Sequence, residues 1–316
     1  MRALVWDGQH LQLQTAYPTP SVTDTEALVH VRLAGICATD VQILQGYMGF
    51  QGVPGHEFVG EVCEGPAALV GQRVVGEINF ACGRCPVCAR GLERHCPTRR
   101  VMGIFHADGS FAEYVSVPVA NLHVVPDSVT DEAAVFTEPL AAACEILEQV
   151  HVRPDDDIVV LGDGKLGLLC AQVLHSAGAR VCVVGKHPDK LARLQPLGIP
   201  TVVLSNWQPR QVDVVVEATG ATAGLQLAMD MLRPRGTLVL KSTIATAHTL
   251  SLAPLVIHEI TLVGSRCGRF APALQALARQ RVAVTPLIDT VYPLTEGITA
   301  LAHAARPGTL KILLRM

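Results

Sequence analysis

The stretch DIVVLGDGKLGLLCAQVLHSAGARVCVVG, residues 157–185, leaves few folds open to the chain that contains it. IVVLG has the look of a short buried strand, KLGLLCAQVLHSAG is apolar at helical spacing and closes on glycine, and RVCVVG is a second strand. Between the first strand and the helix stand Gly162, Gly164 and Gly167, spaced G-x-G-x-x-G. Glycine lets the backbone turn tightly and approach a pyrophosphate, while the amides at the helix start receive its charge. Alone, that spacing marks only a tight turn. Inside a strand–turn–helix–strand unit it points to a dinucleotide bound on a doubly wound sheet. The alternation continues through DVVVEATG (213–220), a helix around LQLAMDMLRP, then GTLVLKS and EITLVGSRCG. These five strands point to a six-stranded doubly wound sheet, ending near Arg266.

The residues before this unit read differently. Short runs such as ALVHVRLAG and SFAEYVSVP, punctuated by turns, fit a compact, partly open β-barrel. Within them CGRCPVCARGLERHC sets Cys82, Cys85, Cys88 and Cys96 at C-x2-C-x2-C-x7-C. Four soft thiolates around one tetrahedral ion suit zinc in a closed, structural site, with an iron–sulfur cluster as the chemical rival. Upstream, GICATD (35–40) and GHEFVGEV (55–62) supply Cys37 and His56, and carboxylates follow at Glu57 and in TEPLAAA at Glu138. One cysteine, one histidine and one carboxylate leave a fourth zinc position for water or substrate, which is a catalytic arrangement.

Clustered cysteines mean metal or catalysis only where thiols stay reduced. The first residues, MRALVWDGQHLQLQ, hold no apolar stretch of signal length, and no run approaches a bilayer span. The expectation is therefore a soluble, cytoplasmic protein with no membrane partner. With 49% hydrophobic and 17% charged residues among 316, a large core is possible, and a formal charge of −3 argues against nucleic acid. Cys63, Cys144, Cys170 and Cys182, among apolar neighbours, read as core thiols.

In order along the chain, GICATD, GHEFVGEV, the cysteine loop, DGSFAEYVSVP, EPLAAA and VVLGDGKLGLL resemble the zinc-containing alcohol dehydrogenases of the medium-chain dehydrogenase/reductase superfamily. The likeness covers essentially the whole chain and is closest to the polyol and threonine dehydrogenase branch. It implies an α/β plus β fold: a GroES-like β-barrel catalytic domain over 1–139 carrying both zinc sites, a Rossmann NAD(P)-binding domain over 140–266, and a return of 267–316 to the catalytic domain. It further implies that Cys37, His56 and Glu138 hold a catalytic zinc, with Glu57 taking a turn as ligand and Glu138 preferred at rest. Asp40 would orient the His56 imidazole, and Thr39 would hydrogen-bond the substrate alcohol. Lys311, in GTLKILLRM, matches a basic residue that contacts the pyrophosphate. Many relatives place a histidine five residues after the zinc cysteine as a proton relay; this chain has Gln42, which does not titrate near neutral pH.

The implied reaction passes a hydride between NAD(P) and an alcohol: a secondary alcohol, a polyol or a 3-hydroxy amino acid. Two zincs per chain are expected, with an alcohol or carbonyl as the small-molecule partner and a homo-oligomer, dimer or tetramer, as the assembly. The rivals are a zinc-independent enone or quinone reductase of the same superfamily, which lacks the Cys37, His56 and Glu138 set, and a zinc-ribbon binding module, which does not explain Gly162–Gly167. For the dinucleotide, the second strand ends in Gly185, where an NAD enzyme normally has an acid. Glycine leaves room for a 2′-phosphate, Lys186 can pair with it and His187 can add a donor. NADP is therefore expected over NAD.

Overall fold

The computed structural model describes residues 1–243 and 251–316, and the chain divides into two compact units. The first comprises Met1–Glu138, Phe270–Ala278 and Ile288–Met316; the second comprises Pro139–Arg269 and Arg279–Leu287. The expectation that all of 267–316 returns to the first unit differs from this division at two segments, 267–269 and 279–287. Residues 279–287 belong with the second because Gln172 holds the Ala283 backbone at both ends, accepting its amide at 2.7 Å and donating to its carbonyl at 3.2 Å. Arg193 adds a bond to the Pro286 carbonyl at 2.8 Å.

In the first unit the central strand is Glu26–Gly35, whose Ala27, Val29, Val31 and Leu33 alternate inward and are almost wholly buried. Period-two burial of this kind stabilises by about 1.5–3 kcal/mol per large apolar side chain. Among the described residues it belongs to a seven-stranded sheet: Leu122–Val124, Arg73–Gly76, Glu57–Glu64, Glu26–Gly35, Lys311–Arg315 and Ile288–Pro293 in order, with Tyr114–Pro118 also paired to Glu26–Gly35. The register decides which distant residues become neighbours. Gly35 lies opposite both Glu57 and Leu313, and the Ile36 amide donates to the Ile312 carbonyl at 2.9 Å. The end of one strand and the starts of two others therefore meet, though they are far apart in sequence.

The second unit carries a six-stranded parallel sheet among its described residues, in the order Thr201–Val203, Arg180–Gly185, Asp157–Leu161, Val212–Glu217, Leu232–Leu240 and Thr261–Gly264. Its inner strands are continuous valine-rich runs, as expected where both faces are covered. The reversal of order beside Asp157–Leu161 is where ligands bind such sheets. The helix Lys165–Ser176 packs Leu168, Leu169, Cys170 and Ala171 inward. Burial pushes the Cys170 thiol up to about 11, which suits an inert core thiol. Cys144 and Cys182 are buried as well, whereas Cys63 is exposed near the end of Glu57–Glu64. No helix among the described residues is long and apolar enough to cross a membrane.

Candidate active site

Cys37 caps the short helix Ala38–Ile43, and His56 immediately precedes the strand Glu57–Glu64. The pairing of Gly35 with Glu57 brings these two points together, and ligand atoms of Cys37, His56 and Glu57 lie within 4.8 Å of one another. Asp40, fully buried, braces both sides of the group. Its Oδ2 accepts the Cys37 amide at 2.7 Å, and its Oδ1 lies 3.1 Å from His56 Nδ1. With Nδ1 turned to a carboxylate, Nε2 is the nitrogen left for a metal. Burial alone would push the His56 pKa down, but the Asp40 carboxylate and then the Cys37 sulfur outweigh it and hold the pKa well above the ordinary imidazole value. Thr39 Oγ1 is 3.7 Å from Cys37 Sγ, so a hydroxyl stands beside the group.

Glu57 is the carboxylate gathered with Cys37 and His56; Glu138, in the first turn of the helix Thr137–Gln149, lies outside that group. The resting preference for Glu138 thus finds no counterpart in this arrangement, because Glu57 is next to His56 on a strand whose register fixes it. Glu57 Oε2 accepts from Lys311 Nζ, while Oε1 is buried without a hydrogen-bond partner among the described residues. An orphaned carboxylate oxygen beside a thiol and an imidazole fits a cation, since a buried polar atom left without a partner is otherwise costly.

Lys311 differs from its expected role. Its side chain is completely buried, paired with Glu57 and 5.4 Å from the centre of the Phe136 ring, rather than open to a pyrophosphate. Gly35 makes room for this pair, because a Cβ there would collide with Glu57 Oε2. Removing one partner of a buried ion pair leaves the other uncompensated, so Lys311→Met is expected to cost about 3 kcal/mol or more in chemical unfolding. A variant within about 0.5 kcal/mol of the parent would show the pair to be dispensable.

The cysteine loop closes on itself. Sγ–Sγ separations are 3.4 Å for Cys85–Cys88, 3.6 Å for Cys82–Cys96, 3.9 Å for Cys85–Cys96 and 4.0 Å for Cys82–Cys88. A tetrahedron with zinc–sulfur bonds of about 2.3 Å has edges of about 3.8 Å, so the four thiols fit one ion. The Arg84 amide, with the Thr98 hydroxyl, draws the Cys82 thiol down, while burial pushes the Cys88 thiol up. One ion bound to all four removes that imbalance.

In the second unit, Gly162, Gly164 and Gly167 form the turn into the helix Lys165–Ser176. A Cβ on Gly167 would collide with the Gly162 carbonyl, and no side chain caps the helix at Gly164. The uncapped amides and bare backbone fit a pyrophosphate. Gly162 and Gly164 line a cleft of about 340 Å3 together with Asp163, Gly185, Lys186 and His187. Asp163 is a site residue that the glycine spacing does not single out. Its Oδ2 accepts the amides of Lys186 and His187 at 2.6 Å each, and His187 Nδ1 lies 3.1 Å from both carboxylate oxygens. Burial would raise its pKa, but the His187 amide and imidazole and the Lys186 amide hold it below the usual carboxylate range. The room attributed to Gly185 is therefore already taken by a carboxylate.

Residues 23–127 match the alcohol dehydrogenase GroES-like domain family and residues 166–280 the zinc-binding dehydrogenase family. A sorbitol dehydrogenase from Halalkalibacterium halodurans is 30% identical over 322 residues, 94% of this chain and 93% of that protein. The chain belongs to the zinc-containing alcohol dehydrogenases. Two solved relatives have the same fold at 26% identity over 100% of this chain and 99% of theirs. One is a zinc-binding dehydrogenase from Sinorhizobium meliloti 1021 bound to NADP, with a TM-score of 0.92. The other is an alcohol dehydrogenase from E. coli CFT073 complexed with NADH, with a TM-score of 0.91. The enzyme is thus an NAD(P)-dependent alcohol dehydrogenase built from a GroES-like and a Rossmann unit.

Proposed function

We propose that the enzyme oxidises a secondary alcohol, a polyol or a 3-hydroxy amino acid, and reduces the matching carbonyl, at a catalytic zinc site formed by Cys37, His56 and Glu57. The gathering of these three ligands around a buried carboxylate oxygen with no partner carries the reading. Bound there, zinc supplies a Lewis acid for the alcohol oxygen, and the nicotinamide supplies the hydride acceptor. The chain does the rest. Asp40 fixes the His56 ring and the Cys37 backbone together, Lys311 balances Glu57, and the Thr39 hydroxyl receives the alcohol proton. With Gln42 in place of a histidine, Thr39 passes its own proton on through water or another residue. A second, structural zinc on Cys82, Cys85, Cys88 and Cys96 completes two per chain, and its role is to hold the loop.

A panel of secondary alcohols, sugar alcohols and L-threonine, each offered with NAD and with NADP, tests the proposal. Formation of reduced dinucleotide should be lost on chelation and restored by zinc. Turnover that survives full chelation would remove the metal from the reaction. Thr39→Val should lower kcat by about a hundredfold or more, with Thr39→Ser close to the parent, because a positioned proton acceptor contributes roughly 10²–10⁴. Equal rates in Thr39→Val and the parent would take Thr39 out of the proton path.

A homo-oligomer is also proposed. The edge strand Thr261–Gly264 leaves its outer side unpaired among the described residues, with Leu262 exposed, and Val256 and Ile257 of the helix Ala253–Ile257 exposed as well. Uncovered edges and apolar patches are usually hidden by association. Ten free thiols suit the reducing cytoplasm as the compartment.

A further inference from the structure

In a dinucleotide enzyme of this fold, the ribose 2′-hydroxyl is read by an acid at the end of the second strand. That position is Gly185, and its side-chain space is filled from elsewhere in the chain. A Cβ on Gly185 would lie 2.5 Å from the Asp163 Cβ and 2.6 Å from Asp163 Oδ2. Asp163 sits between the first two glycines of the phosphate turn, so a residue of that turn has brought a carboxylate to the strand end. It also occupies the backbone donors. Successive amides in a turn form a nest that attracts anions, and the amides of Lys186 and His187 both already donate to Asp163 Oδ2. A 2′-phosphate would find those donors taken and a negative charge beside it.

We infer that Asp163 is the specificity-determining residue for the dinucleotide: it stands in for the missing strand-end acid, reads the ribose 2′-hydroxyl and makes the enzyme prefer NAD over NADP. The inference rests on the proposed dehydrogenase function. It reverses the preference drawn from Gly185, because that glycine gives space to Asp163 and not to a phosphate. The Asp163 side chain is 10% exposed, so its repulsion of a phosphate is only weakly screened. Lys186 is exposed, and an exposed charge pair contributes little by comparison. Lys190, which lines the same cleft, offers a donor that a hydroxyl or a phosphate can accept.

The test is equilibrium binding of NADH and NADPH to the zinc-loaded protein, followed by calorimetry or dinucleotide fluorescence. The parent should bind NADH more tightly by at least about tenfold, a difference of one decade in Kd. Asp163→Asn keeps the shape and removes the charge, and should shift the NADH-to-NADPH ratio by at least about tenfold toward NADPH. Gly185→Asp alone crowds two carboxylates together and should weaken both ligands. The double variant Asp163→Ala, Gly185→Asp returns the acid to the strand and should regain the parent's NADH preference. If Asp163→Asn does not fold, the double variant decides, and a preference for NADPH there overturns the inference. A parent that binds NADPH as tightly as NADH overturns it, as does an Asp163→Asn protein with the parent's ratio. A parent that binds neither dinucleotide would instead bring down the dehydrogenase reading and this inference with it.

Discussion

Cys37→Ala will lose at least about a thousandfold in turnover, roughly 4 kcal/mol of barrier lowering, while binding of reduced dinucleotide is retained. Cys37 provides the only sulfur in its ligand group, and its backbone and the His56 ring are tied to one buried carboxylate, Asp40. Truncation removes a charge that the cation needs and breaks the set that defines the site. The glycine turn and the cleft around it belong to the other compact unit and depend on none of these residues. Steady-state rates and a dinucleotide titration on the same preparation separate the two effects. Turnover at a tenth of the parent rate would remove Cys37 from the reaction, and parallel loss of dinucleotide binding would mean that the variant had unfolded.

The second large effect is on stability. Cys88→Ser should lose one zinc and cost about 5 kcal/mol, a fraction of the roughly 10–16 kcal/mol with which small domains bind structural zinc. For a unit of this size that corresponds to a fall in Tm of roughly 10–20 °C. The loop between Cys82 and Cys96 contains only two short 3-10 turns, Cys88–Arg90 and Glu93–His95, and little of it is buried. Without an ion, nothing comparable holds it in place. Thermal unfolding and metal analysis of the variant form the check. An unchanged Tm with both zincs present would show that the loop folds without its metal.

The features legible in the sequence are those written in one short stretch. The glycine turn and the cysteine loop are local: spacing alone places their groups together, and the structure adds only distances. The alternation of strands and helices after Asp157 likewise foretells the six-stranded sheet. What the sequence leaves open depends on register between distant strands. The sequence offers both Glu57 and Glu138 with Glu138 preferred at rest, and it does not show that Glu57 lies opposite Gly35, beside Cys37 and His56. The burial of Lys311 against Glu57 joins residues 254 positions apart, and no local pattern announces it. The exposure of Cys63 follows from its place near the end of a strand, between Val62 and Glu64. Asp163 does have a signal in the sequence. An acid between the first two glycines, together with a glycine at the next strand end, is a matched pair, because one vacates the space the other fills.

Two separate zinc sites are the central claim, and the most direct measurement is the zinc content per chain, by mass spectrometry, of the purified parent, Cys37→Ala and Cys88→Ser. Two equivalents are predicted in the parent and one in each variant, with turnover missing from Cys37→Ala. One zinc or none in the parent, or two retained in Cys37→Ala, would contradict the claim.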